Sequence, residues 1–156
     1  MSITIADEIR YMEDELTAAL NSQRRTYKQA RNIIVPGVYF VYRDDQVIYV
    51  GKTSREGKTR FQEMAADYRS PTLNRKLLLP ILNEHLNTNY KRLTKDIKPQ
   101  LIAGGIISQE EFQRLQREVN RIVKTELRFQ FHSTKPEDLT RFEHFAISIL
   151  NPPLND

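Results

Sequence analysis

A chain of 156 residues, 39 % hydrophobic and 28 % charged, can build one domain with a modest core. The absence of cysteine excludes disulfides, thiolate metal sites and a thiol nucleophile, and a net charge of +4 allows a polyanionic partner without arguing for one. No run approaches the ~18–20 apolar residues that span a bilayer, and Met1 to Leu16 lacks the basic leader and apolar run of a secretory signal, so a cytoplasmic protein with no membrane partner is expected.

Residues 3–31 read as an amphipathic helix, because Ile5, Ile9, Met12, Leu16, Leu20, Tyr27 and Ala30 recur at three- and four-residue steps, with a weak turn near Gln23. Pro36-Gly37 punctuates the chain. Two β-rich runs follow, Val38 to Tyr42 and Val47 to Val50, and the polar stretch between them indicates a hairpin. A polar loop then leads to a helix expected from Thr59 to Arg69. Residues 71–123 read as helical throughout, with Pro80 as a break or kink. Ser108 and Glu111 have the spacing of a capping box. Leu127 to His132 alternates apolar and polar, as a strand with one buried face does. A last helix opens near Pro136 and ends before Pro152-Pro153.

The expected fold is therefore α+β: a small antiparallel three-stranded sheet flanked by helices, in a single domain over 1–156. Residues 1–32 form an N-terminal helical extension, 33–70 and 124–156 the core, and 71–123 a helical insertion. The segment from Gly51 to Pro99 concentrates cations, among them Lys52, Arg55, Lys58, Arg69, Arg75 and Lys76. Such a surface suits a phosphate backbone, although solvated helix faces carry the same residues.

Two features bear on chemistry. On the last helix, at ~100° per residue, Glu143 falls inside the apolar arc of Leu139, Phe142, Ala146 and Ile147. A carboxylate there loses hydration and needs a cation, a hydrogen-bond network or a metal ion. An edge position that reaches water is the plainer reading. The second feature is the hairpin register. A two-residue loop at Asp44-Asp45 would set Tyr39 opposite Val50 and send Tyr49 to the other face. A three-residue loop over Arg43 to Asp45 would set Tyr39 opposite Tyr49. The residues alone barely separate the two.

Gly37-Val38-Tyr39 followed after about ten residues by Tyr49-Val50-Gly51 resembles the two-part signature of the GIY-YIG nucleases, with Val for Ile in both halves. Lys52 follows the second glycine as in excision-repair and restriction members. Arg60 stands where the family has its arginine, and Glu143 where it has its metal-binding glutamate. The tail from Asn151 to Asn155 is similar to an NPPxN ending of some members. The resemblance covers about Val35–Arg69 and Glu126–Asp156.

It implies an endonuclease that hydrolyses phosphodiester bonds of DNA, with one Mg²⁺ or Mn²⁺ held by Glu143 and by water. Tyr39 would be the general base. Since a free tyrosine has a pKa near 10, a cation such as Lys52 would have to assist it. Tyr49 would orient the nucleophile, Arg60 would hold the phosphate in its planar fork, and Asn155, with Asn151 as the competing choice, would brace the site. Where many members carry His or Tyr one turn after the arginine, this chain has Met64; Tyr68 is a weak substitute. The expected partner is double-stranded DNA, with a homodimer if half-sites are read. A non-catalytic nucleic-acid-binding module of the same fold, or a nuclease directed at RNA or used as a toxin, is the alternative.

Overall fold

The computed structural model describes residues 4–155; Ile3, placed at the start of the first helix, and Asp156, placed in the core, lie outside them. The described residues contain seven α-helices and a three-stranded antiparallel sheet, the α+β class expected. The chain divides into two compact units: residues 1–59 with 127–156, and residues 60–126. The division falls earlier than the expected insertion boundary, so residues 60–70 group with the helical segment.

In the first unit, α1 (Ile5–Leu20) starts at a capping box in which Thr4 and Asp7 satisfy each other's amides. The single long helix expected over 3–31 is broken. Residues 21–26 leave the helix, the backbone of Arg25 pairs with Phe129, and Thr26 with Gln29 opens a separate short helix, α2 (Tyr27–Ala30). Periodicity along one chain could not report this break, because its cause is a strand about a hundred residues away in sequence. Buried Gln130 marks the same place: its Nε2 donates to the carbonyls of Leu20 and Ser22 at 2.9 and 2.7 Å, and its Oε1 accepts from the Tyr42 hydroxyl at 2.6 Å. The last carbonyls of α1 are thereby satisfied inside the protein.

Strands β1 (Gly37–Arg43), β2 (Gln46–Thr53) and β3 (Leu127–Ser133) form the sheet in the order β2-β1-β3. On one face Val38, Phe40, Tyr42 and Val50 pack against Met12, Leu16 and Ala19 of α1 and against Leu139, Phe142 and Ala146 of the last helix, α7 (Leu139–Leu150). A single 3-10 turn, Pro136–Asp138, precedes α7. Asp138 receives hydrogen bonds from the Tyr11 hydroxyl at 2.9 Å and from Arg141 Nε at 2.9 Å, while Arg141 Nη1 reaches Glu8 at 2.6 Å. These contacts tie α1 to the start of α7.

The second unit is helical. α3 (Gly57–Met64) crosses the division between the units, and α4 (Thr72–Leu86), α5 (Ile97–Ala103) and α6 (Gln109–Thr125) follow. α3 starts and stops earlier than expected; beyond it Asp67 turns the chain by accepting the Arg69 amide. α4 runs through Pro80 without a break, since buried Leu77, Leu78 and Leu82 hold it on both sides. The helical region expected across 71–123 consists of the three helices α4, α5 and α6. After α4, Asn83 organises the chain by accepting from the Thr88 hydroxyl and the Tyr90 amide and donating to the Tyr90 carbonyl. The Ser108 hydroxyl caps α6 through the Glu111 amide, but the Glu111 carboxylate meets His85 instead of closing the box. Fully buried Asn74 donates to the Met64 carbonyl at 2.7 Å and accepts from Gln116 at 2.9 Å.

Candidate active site

The hairpin has neither of the simple registers. Asp44 and Asp45 form a two-residue turn, with Asp44 in the left-handed region at φ 55°. A bulge then shifts the register between Val41 and Tyr42, so Tyr39 lies opposite Gly51 and Tyr49 opposite Val41. Neither the Tyr39–Val50 pairing of a simple two-residue loop nor the Tyr39–Tyr49 pairing of a three-residue loop is found. The two rings nevertheless share a face as diagonal neighbours, with centroids 6.3 Å apart. The physical reason lies in the other face. Val47 and Val50 differ by an odd number of positions, yet both pack on the α1–α7 core. Only an extra residue between them, Ile48, allows that in a strand of period two.

Gly51 decides where the Tyr39 hydroxyl goes. A Cβ added at Gly51 would land on the Tyr39 hydroxyl and Cζ. The phenol of the central strand therefore lies across the edge strand, over the one position of β2 that has no side chain. Tyr39 is 2 % exposed.

Lys52 is the next residue, and the strand alternation turns its side chain to the α7 side. Its ammonium donates to the Thr140 hydroxyl at 2.7 Å and lies 4.0 Å from Glu143 Oε1. Glu143 has a 14 % exposed side chain, with His144 Nε2 at 3.8 Å. Burial raises the Glu143 pKa above the ordinary carboxylate value, and the charges of Lys52 and His144 oppose that rise. Lys52 is therefore a cationic neighbour of Glu143. Thr140, one turn before Glu143, was not anticipated; its place on the same helix face as the carboxylate was the available signal.

Asn155 holds the same strand from its outer edge. Its Oδ1 accepts from the Val50 amide at 2.8 Å and its Nδ2 donates to the Val50 carbonyl at 2.9 Å, while the Leu154 amide reaches the bulge carbonyl of Ile48 at 2.9 Å. The tail thus takes the place of a fourth strand beside β2, and the brace is structural. Asn151 does something else: it caps α7 in the left-handed conformation.

Tyr39 and Tyr49 thus lie on one face of the sheet, Lys52 and Glu143 on the α7 face of β2, and Asn155 along its edge. Arg55 and Lys58 are exposed in the same unit, with Lys58 3.3 Å from Glu56. Arg60, Arg69, Arg75 and Lys76 belong to the second unit. There Arg60 Nη1 is 3.5 Å from Glu63, and its buried Nε has no hydrogen-bond partner. Arg69 forms a two-toothed pair with Asp67, and Arg75 Nη1 donates to the Tyr68 and Arg69 carbonyls. Arg75 is consequently a turn-stabilising residue as it stands. Tyr68 is buried, donates to the Lys95 carbonyl and packs edge-on against Phe112, so it is a core residue.

Among the described residues no group of three or more His, Asp or Glu side chains is placed to hold a metal ion, and no helix is long and apolar enough to cross a membrane. The donor set that exists is one desolvated carboxylate. It fits a hard divalent ion that retains most of its water, as Mg²⁺ does, and it does not fit an ion that needs several protein ligands. Comparison with family models, with characterised proteins and with solved structures gives no match to this chain.

Proposed function

We propose that the protein is a metal-dependent endonuclease of the GIY-YIG type that hydrolyses phosphodiester bonds of double-stranded DNA. The observation that carries this reading is the arrangement around β2. Two phenols share one face, the hydroxyl of Tyr39 lies over Gly51, and beside the next residue, Lys52, stands a desolvated carboxylate. A helix that only packs on the sheet has no use for a half-buried Glu143 on its core side, beside Lys52.

In this reading Tyr39 takes the proton of the attacking water and Tyr49 orients that water by hydrogen bonding. Glu143 would hold a divalent ion, which when bound would supply charge neutralisation at the scissile phosphate. Lys52 opposes the rise that burial gives the Glu143 pKa and is itself positioned by Thr140. Asn155 fixes the backbone of β2 at Val50, next to Tyr49 and two residues before Lys52. Arg60 is assigned to the phosphate by the resemblance, since a guanidinium matches phosphate oxygens with two parallel donors.

The test is cleavage of supercoiled plasmid in Mg²⁺. Nicked or linear product is expected with the wild type, with a loss of at least about a hundredfold in Glu143→Ala and in Arg60→Ala while both keep the wild-type circular dichroism. Cleavage that survives EDTA would remove the metal. Tight DNA binding with no cleavage under any divalent ion would favour the non-catalytic module, and cleavage confined to RNA would move the substrate.

A further inference from the structure

The loop that joins α2 to β1 carries two adjacent exposed aliphatic side chains, Ile34 at 67 % and Val35 at 41 %. Single exposed aliphatics are ordinary on soluble proteins, but this pair is held out by its backbone. The Ile33 amide donates to Ala30 at 3.1 Å, the Lys58 amide to Ile33 at 2.7 Å and the Gly57 amide to Val35 at 3.0 Å. A Cβ at Gly57 would lie 2.7 Å from Ile33 Cγ2. Ile33 is thus pressed against the start of α3, and its two successors cannot turn inward without breaking those bonds. Pro36 limits the backbone on the other side. Exposed Lys28 and Arg31 precede the pair in the chain, and exposed Lys58, whose amide meets the Ile33 carbonyl, lies 3.3 Å from Glu56. An apolar tip with exposed cations on the segments that flank it is complementary to duplex DNA: cations meet phosphates, and aliphatic side chains enter between base pairs at a kinked step.

We infer that Ile34 and Val35 form a wedge that unstacks one base step of double-stranded DNA, with Lys28, Arg31 and Lys58 on the flanking phosphates; this rests on the nuclease reading and names how its substrate is gripped.

Short duplexes carrying 2-aminopurine at successive positions, bound by the Glu143→Ala protein, test this directly. Emission is expected to rise several-fold at one step. In the same background, the double substitution Ile34→Ser with Val35→Ser abolishes the rise, while affinity falls less than about tenfold and the salt dependence, set by the phosphates, is kept. A rise that persists in the double variant, or a bound complex with flat emission at every position, overturns the wedge. Wild-type cleavage separates the two readings. Cleavage without unstacking sinks the wedge alone; neither binding nor cleavage of any duplex sinks the wedge and the nuclease together.

Discussion

Gly51 lacks a side chain at the place where the Tyr39 phenol crosses the strand, and this close approach gives the second glycine of the signature a physical role. Gly51→Ala forces the ring away. The expected outcome is a loss of about 1–3 kcal/mol of stability from overpacking with a larger proportional loss of cleavage, read by urea melts and plasmid nicking on the same protein. Cleavage unchanged at full folding would show that the hydroxyl position is not needed. Glu143 makes a pH prediction. Its pKa is raised in the folded protein by burial, so the folded state favours the protonated form. Stability from this group is present at low pH and is lost as pH rises through the raised pKa. Glu143→Gln removes that dependence. In EDTA the variant should melt above wild type near neutrality and converge with it in acid, and Mg²⁺ should raise the melting temperature of the wild type alone. A wild-type curve parallel to the variant at all pH values would contradict the assignment of burial as the cause.

At the level of elements, the hairpin shows where a local pattern stops being sufficient. The valines, phenylalanine and tyrosines of Val38 to Tyr42 and Val47 to Val50 were enough to specify two strands and a short turn. They did not specify the bulge, because its cause is the demand of α1 and α7 for both Val47 and Val50 on one face. The turn itself is testable. Asp44 has φ 55°, which costs a β-branched residue about 1–2 kcal/mol. Asp44→Val should therefore destabilise by about that amount, while Asp44→Gly should be neutral or better in the same urea melts. Asn155→Ala removes both hydrogen bonds to Val50 and should cost about 1–2 kcal/mol. If it does not, the tail is not a brace. Arg24 adds a further tie, reaching Asp45 at 3.1 Å and stacking 4.0 Å above Tyr42, so the segment after α1 holds the hairpin tip.

For the molecule as a whole, the modest positive charge is less informative than its placement. Arg69 and Arg75 are engaged with Asp67 and with backbone carbonyls, whereas Lys28, Arg31 and Lys58 are exposed in the first unit. DNA affinity should therefore fall with salt, and Lys28→Gln with Arg31→Gln should reduce the slope of log K against log salt by about 0.9 for each phosphate that is no longer neutralised. Arg69→Gln and Arg75→Gln should leave that slope unchanged, and equal slopes for all four variants would refute the placement. The amino-acid sequence by itself determined the element types, the sheet-plus-helices class and the oddity of Glu143, because periodicity and turn chemistry are local properties of a chain. Only the tertiary structure decided the rest. The break after α1, the bulge at Ile48, the pairing of Lys52 with Thr140 and Glu143, and the closing of the β2 edge by Asn155 all depend on residues about a hundred positions apart. Their burial and hydrogen-bonding demands exist only once the sheet has formed. The tyrosine pair belongs to both levels: its residues are plain in the sequence, but a register set by a distant core places them together.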